Sequence, residues 1–435
     1  MEKEILFNEL RYPEKYQKYD MGKEAVKPSK LFSHFLIPLI VKLSLIGQKN
    51  TQDIDPRFNE IKKEQYLLLE NHMQFLDFYI EYKVIGKKKI NNIVNLDAYQ
   101  VLPYWLMELG GCIPKRKFTQ ETLSIRSMKK VVDKGGSVGV FPEARYTPIG
   151  RTSPLPDSIG KFIKYLKIPV VTIINHGNHL VKPTWGNQKN RKLPIKAVVK
   201  VCLTKEEVLS LSVAEINERV REHFKYDEYQ YQLDNNILIK EDFRTIGIEK
   251  ILYKCPHCHD EKSMIGTGTT VKCQKCGAEY QLNENGSLTN LKGETVFSKV
   301  LDWCDWEKDE VSKEIQNGTY RFEEDMETWA FPHPKYLIKI PNAHVVHDIN
   351  GFEVRGNYNG YDYLWKKEPL DNFSVQLEYS WPNKKYEDGS RANIFALHTS
   401  NDGLYFLPKD PRILFKIYLA VELLFNMAEA KIKQQ

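Results

Sequence analysis

Between residues 61 and 205 the chain switches between short apolar runs and stretches with helical spacing. Tyr66–Glu70 reads as a short buried strand. Phe75, Phe78, Tyr79 and Tyr82 then recur at i, i+3, i+4 and i+7, the spacing of one helical face. Ile93–Leu96 reads as a second strand, followed by a helix over Tyr99–Leu109 that Gly110-Gly111 ends, and Cys112–Pro114 begins an extended piece. Glu121–Lys134 predicts a helix stopped by Gly135-Gly136. Ser137–Phe141, Val170–Ile174 and Ile195–Leu203 predict strands. Strands alternating with helices predict an α/β fold, a mixed sheet flanked by helices.

The pattern changes near residue 250 and again beyond about 286. Asp302–Trp306 opens an acidic helical stretch. Short β-rich runs follow at Tyr336–Ile340, His344–His347, Gly351–Gly356, Tyr361–Trp365, Phe373–Tyr379 and Asn393–His398. Arg412–Met427 predicts a long apolar helix. Short strands closed by a helix are the outline of a pleckstrin-homology-like barrel, an analogy that fixes no ligand. The shifts divide the chain into an N-terminal arm and apolar helix (1–60), an α/β domain (61–245), a small cysteine-bearing unit (246–285), and a connector, β-rich domain and terminal helix (286–435).

With 435 residues the chain exceeds one ordinary core, so about two to four domains are expected. Apolar content of 42% and a mean hydropathy of −0.49 fit a soluble or peripherally bound protein rather than a polytopic one. The net charge of +6 is too small an excess to point to nucleic acid. The start, MEKEILFNEL, has no apolar signal core, and the expected location is cytoplasmic. Leu31–Ile46 is strongly apolar, but it carries His34, Pro38 and Lys42 and is too short to span a bilayer. It reads either as a helix packed on the next domain or as an element lying in the membrane interface.

Four of the seven cysteines fall in two tight pairs, Cys255/Cys258 in CPHC and Cys273/Cys276 in CQKC, with 14 residues between the pairs. Two such pairs close a tetrahedral thiolate site of zinc-ribbon spacing, so a structural Zn ion is expected. His257 and His259 stand nearby, but four thiolates suffice. A closed four-cysteine site has no open position, so it staples rather than catalyses.

The apolar run Leu67–Ile80 breaks at Asn71-His72, and Asp77 follows His72 by five residues. On a continuous helix that offset places the two about 140° apart. With His72 in a turn before the helix, the carboxylate can fold back on the ring, fix its tautomer and steady an imidazolium, leaving the ring to take a proton from a hydroxyl. Three more features accompany the pair. Lys115 and Arg116 end GGCIPKR, and a guanidinium fork matches phosphate oxygens. FPEAR ends a strand with Glu143 and Arg145, and Ile168–Val171 opens a strand that runs to Asn175-His176.

In this order, Asn71-His72 with Asp77, Gly111–Arg116, Phe141-Pro142-Glu143 and Ile168-Pro169-Val170-Val171, the chain resembles the glycerolipid or lysophospholipid acyltransferases, of the 1-acylglycerol-3-phosphate acyltransferase kind, over about residues 61–205. The resemblance implies acyl transfer from a thioester, acyl-CoA or acyl-carrier protein, to a hydroxyl of a lysophospholipid or glycerol-3-phosphate at a membrane surface. It implies His72 as general base, Asp77 as its orienter, Arg116 on the acceptor phosphate, Glu143 positioning the acceptor, and Lys115 and Arg145 as further substrate-binding residues. It also places helix-start amides near Met73 at the oxyanion. The sequence departs from the family pattern where Ala144-Arg145-Tyr146 replaces Gly-Thr-Arg, so Arg145 stands one place early and Ala144 replaces a glycine. Thr172 stands where a second proline is common. His176 and His179 read as satisfied polar residues at the site edge.

The expected partners are membrane lipids on the inner face, the acyl donor and a lysophospholipid-type acceptor, with no nucleic acid. Lys87–Lys89, Lys115–Lys117 and Lys189–Lys192 are the basic clusters suited to anionic head groups. Two other readings compete. One is a non-catalytic lipid-binding scaffold built on this fold. The other is nucleic-acid binding through the ribbon, which has few arginines and no basic stripe interleaved with aromatics.

Overall fold

The computed structural model describes residues 10–16, 18–21, 25–119, 122–387, 389–400 and 402–434. Most of the opening MEKEILFNEL and Glu121 lie outside them. Strands β1 (Asn50–Ile54), β2 (Leu67–Glu70), β3 (Ile90–Asn95), β4 (Ile113–Lys115), β5 (Ser137–Val140), β6 (Val170–His176) and β7 (Ile195–Leu203) form one sheet in the order β1-β7-β6-β2-β5-β3-β4. Strands β6, β2, β5, β3 and β4 run parallel, while β7 is antiparallel to β6 and parallel to β1. The sheet is therefore mixed, as the alternation predicts.

Side chains alternate across a strand, so Leu67 and Leu69 of β2 join one core and Leu68 the other. The first core lies under helices Leu123–Asp133, Ser158–Leu166 and Val213–Phe224. The second lies under Ile37–Ser44 and Leu76–Ile85. Cover on both faces is why β2 is buried along its whole length and reads as a continuous apolar run. The parallel strands all end at one edge, and their carboxyl ends are where an open α/β sheet leaves a crevice.

Three local differences from the sequence reading have clear causes. Strand β1 lies within the segment assigned to the arm; Asn50–Ile54 is a polar edge strand with no apolar run to reveal it. The helix expected over Tyr99–Leu109 is two, Ala98–Val101 and Tyr104–Leu109, because Leu102 before Pro103 is extended. In Leu31–Ile46 a π-helical turn, Phe32–Leu36, precedes helix Ile37–Ser44, which begins with Pro38 in its first turn. No helix among the described residues is long and apolar enough to cross a membrane.

The cysteine-bearing unit is a four-stranded antiparallel sheet, β8 (Met264–Thr267), β9 (Thr270–Cys273), β10 (Glu279–Leu282) and β11 (Leu288–Asn290). It packs on helix Val300–Gln316 through Trp303, whose ring stands 4.9 Å from that of Tyr280 and whose indole N–H donates to the Lys254 carbonyl at 3.0 Å.

The last unit holds β12 (Phe322–His333), β13 (Tyr336–Asp348), β14 (Gly351–Tyr358), β15 (Tyr361–Lys367), β16 (Gln376–Lys385), β17 (Arg391–His398) and β18 (Gly403–Leu407). The order β15-β14-β13-β12-β18-β17-β16 joins a four-strand and a three-strand meander through β12 and β18, and helix Ile413–Gln434 follows. Strand β12 carries no clear strand signal in the sequence because its FEEDMET start is acidic on the solvent side. This sheet packs Phe331, Trp381 and Tyr405 against Leu96, Tyr99 and Met107 of the α/β unit, beside the carboxyl ends of β3 and β4.

Candidate functional site

Strand β2 ends at Glu70 and the following helix starts at Leu76, so His72 stands in the turn between them, as the offset to Asp77 requires. His72 Nδ1 lies 3.3 Å from Asp77 Oδ2. That same oxygen accepts the backbone N–H groups of Met73 at 2.6 Å and Gln74 at 2.8 Å. The other oxygen, Oδ1, accepts from Asn178 Nδ2 at 2.7 Å. Asp77 is fully buried. The Met73 amide is thus committed to Asp77, which corrects the expectation that amides there face an oxyanion.

The backbone of His72 is held as firmly as its ring. Its N–H donates to Glu143 Oε1 at 2.9 Å, and its carbonyl accepts from the Thr147 N–H at 2.8 Å. Glu143 Oε2 accepts the Ser153 N–H at 2.6 Å. Glu143 is buried, which pushes its carboxyl up to about 7 against the pull of these two amides. Its observed role is to brace the His72 turn. The ring itself lies between Phe141, stacked at 4.1 Å, and Tyr146 at 4.3 Å. Burial holds the His72 imidazole below its ordinary value, with Asp77 opposing that shift and Lys117 adding to it. A neutral imidazole anchored through Nδ1 presents Nε2 as an acceptor near neutral pH.

Asn71 has a separate task. Its side chain donates to the Asn175 carbonyl at 3.1 Å and accepts the Asn175 N–H at 2.7 Å, tying the end of β2 to β6. Asn178, in the first turn after β6, reaches Asp77 from that side. The sequence reading passed over Asn178; its available signal was a polar residue just beyond the carboxyl end of a buried strand.

The two arginines lie elsewhere than the resemblance implies. Arg116 is buried, and its Nη1 and Nη2 donate to the carbonyls of Phe331 at 3.0 Å and Pro332 at 2.9 Å in β12. Arg145 is buried against the terminal helix, donating to the Tyr418 hydroxyl at 2.9 Å and pairing with Glu422. Lys115 donates to the Thr119 carbonyl at 3.4 Å. Among the described residues neither ring nitrogen of buried His179 is hydrogen-bonded, so the expectation of a satisfied histidine fails there; for His176 only Nδ1 is unpaired. Apolar burial of His179 pushes its ring down to about 3, so it stays neutral.

A cleft of about 140 Å³ opens beside Tyr146. Gln74, Phe75, Arg145, Tyr146 and Lys182 come from the α/β unit; Leu377, Glu378 and Tyr379 of β16, with Tyr418, close the other side. Lys117 lies 3.7 Å from Glu378.

In the ribbon the four sulfurs of Cys255, Cys258, Cys273 and Cys276 lie within 4.8 Å of one another, and the closest pairs are 3.7 Å apart. Sulfurs about 2.3 Å from a tetrahedral zinc stand about 3.8 Å from each other, so the donor set fits that ion. The His259 and Gly277 N–H groups fold back on the Cys255 and Cys273 carbonyls, forming the two tight turns that aim the thiols inward.

A family model described as Acyltransferase matches residues 44–176, a span that contains His72, Asp77, Arg116, Glu143 and Arg145. Among solved structures, the 1-acyl-sn-glycerophosphate (LPA) acyltransferase of Thermotoga maritima is 12% identical, with a TM-score of 0.35, over 44% of this chain and 80% of that one. A likeness at that level settles neither substrate nor mechanism. No curated protein sequence matches the chain.

Two outcomes follow from this geometry. Ala144 sits at φ 58°, where a β-carbon costs about 1–2 kcal/mol. After the greater flexibility of glycine in the unfolded chain is allowed for, Ala144→Gly stabilises the protein by up to about 1 kcal/mol in chemical denaturation. Asp77→Asn removes the charge that supports the imidazolium, so the His72 pKa falls further in an NMR titration; an unchanged or raised value would contradict the pairing.

Proposed function

We propose, from the match of residues 44–176 to the Acyltransferase family model, that the chain moves an acyl group from acyl-CoA or an acyl-carrier-protein thioester to a hydroxyl of a lysophospholipid or glycerol-3-phosphate-type acceptor. The observation that carries this reading is the His72 ring anchored by buried Asp77 at the carboxyl ends of β2 and β6, where burial favours its neutral form. His72 Nε2 takes the proton as the acceptor oxygen forms its bond to the thioester carbonyl carbon. The tetrahedral intermediate then collapses, the carbon–sulfur bond breaks, and the imidazolium returns the proton to the leaving thiolate. Asp77 steadies the imidazolium between the two transfers. No acyl-enzyme is needed.

The reaction is proposed to take place at the inner face of a membrane. Leu31, Phe35, Leu39, Leu43 and Ile46 are 56–71% exposed along one helical stretch, whose other face, Phe32, Ile37, Val41 and Leu45, is packed inward. Such a stretch is apolar on both sides, and its outer side suits burial in the acyl boundary, with the exposed Lys30, Lys42 and Lys49 near head groups. Zinc held by the four cysteines would brace the ribbon against helix Val300–Gln316. The four-plus-three strand outline of residues 322–407 supports a pleckstrin-homology-like reading of that unit.

A second reading, a non-catalytic lipid-binding scaffold, draws on the burial of Arg116 and Arg145. One assay separates the two: transfer of labelled acyl groups from acyl-CoA to lysophospholipids in vesicles. Wild type is expected to form product and His72→Ala to lose about 10²–10⁴-fold of the rate. The rate should rise with pH through a His72 pKa below 6.5 and stay level above it, because only the neutral ring accepts a proton. Equal rates for wild type and mutant would sink the role of His72. In the same vesicles Leu39→Glu with Leu43→Glu is expected to weaken binding about tenfold or more. Metal analysis is expected to find about one zinc per chain, lost in Cys273→Ser; a metal-free folded wild type would refute the ribbon site.

A further inference from the structure

Acceptors of this kind bear a phosphate, and the two guanidiniums that the motif order offers for it are already occupied. Arg116 is spent on two β12 carbonyls, and Arg145 on Tyr418 and Glu422. Both are buried under a separate unit, 1% and 4% exposed. Of the two, Arg116 lies off the cleft that opens beside Tyr146, while Arg145 lines it with its guanidinium already paired, and the other charged groups on that cleft are Lys182 and Glu378.

Lys182 lines that cleft, is half-buried, and makes no hydrogen bond or ion pair among the described residues. Its charge is disfavoured by burial and by a second cation, Arg391, at the start of β17. The carboxylate on the cleft wall, Glu378, is offset by Lys117 rather than by Lys182. Among the described residues Lys182 is thus a half-buried ammonium with no carboxylate paired to it, open to an anionic ligand. Phe75, Tyr146, Tyr379 and Tyr418 supply flat walls around it. The space, about 140 Å³, is well under the roughly 300–1,000 Å³ of clefts that hold drug-sized ligands. It suits a compact head group and excludes an acyl chain.

We propose that Lys182 receives the phosphate monoester of the acceptor in a cleft completed by β16, so that the C-terminal sheet is part of the acceptor site and selects glycerol-phosphate-type acceptors over neutral or cationic ones. The inference rests on the acyl-transfer reading for its purpose, but binding tests it independently. A choline-bearing acceptor would bring a third positive charge to Lys182 and Arg391 and is disfavoured. Leu377, Glu378 and Tyr379 become specificity-determining positions contributed from outside the family-matched segment.

The test is calorimetric binding of glycerol 3-phosphate, of 1-acylglycerol 3-phosphate in mixed micelles, and of neutral monoacylglycerol in the same micelles, to the full chain. Wild type is expected to bind both phosphate-bearing probes and to prefer the lipid phosphate over monoacylglycerol. Lys182→Gln should weaken the phosphate probes about ten- to a hundredfold, the loss of one charge-assisted hydrogen bond, with monoacylglycerol unchanged. Lys182→Arg should restore most of the affinity. Binding of the acylated probe alone identifies a lipid head group as the source of the anion; binding of both identifies the phosphate itself as sufficient. The proposal is overturned if Lys182→Gln binds the phosphate probes as well as wild type, if it weakens all three probes equally, or if wild type shows no preference for phosphate. Should the binding pattern hold while wild type transfers no acyl group, the anion site stands and the acyl-transfer reading falls.

Discussion

A carboxylate with no exposed surface is tolerated only when hydrogen bonds replace the water it has lost, and Asp77 is such a group. Its donors come from three places: the backbone of Met73 and Gln74, the His72 ring, and the Asn178 side chain. Each donor constrains a different piece of chain. The two amides set the turn before helix Leu76–Ile85. Asn178 brings the end of β6 against the end of β2, a contact that the Asn71–Asn175 exchange reinforces. Loss of any one donor would leave acceptor capacity buried and unfilled, worth about 1–3 kcal/mol. The geometry of the imidazole is thus a by-product of satisfying one buried charge.

Glu143 does for the backbone what Asp77 does for the ring. Its two oxygens span His72 and Ser153, so the segment after β5 holds the segment after β2. Three parallel strand ends are therefore cross-linked by polar side chains rather than by apolar packing. The sheet supplies their approximate positions, and the hydrogen bonds supply the last ångström.

The C-terminal unit changes how the site is read. By drawing Arg116 to β12 and Arg145 to the terminal helix, it turns two expected ligand-binding cations into interdomain fasteners. Both arginines are buried, where a guanidinium needs acceptors in fixed places, and carbonyls and Glu422 provide them. The same docking sets β16 across from Tyr146 and makes a wall of what would otherwise be an open crevice.

Much of this was legible in the residues. The alternating periods determined the mixed sheet, the offset of His72 and Asp77 was compatible with pairing only across a turn, and the two CxxC pairs defined the ribbon; all are local patterns, governed by backbone geometry within a few residues. Strands β1 and β12 were hidden because polar edge or solvent-facing positions carry no apolar signal. Leu102-Pro103 could have marked the helix break and did not. The fate of Arg116 and Arg145, the reach of Asn178 and the unpaired Lys182 were beyond local reading. A polar or charged donor takes its role from whichever acceptor packs beside it, and for Asn178, Arg116 and Arg145 those acceptors lie 101 to 277 residues away, at Asp77, Phe331, Pro332, Tyr418 and Glu422. The sequence by itself determined the elements and the reactive pair; only the tertiary structure decided which cations remain available to a ligand, because that depends on desolvation by units distant in the chain.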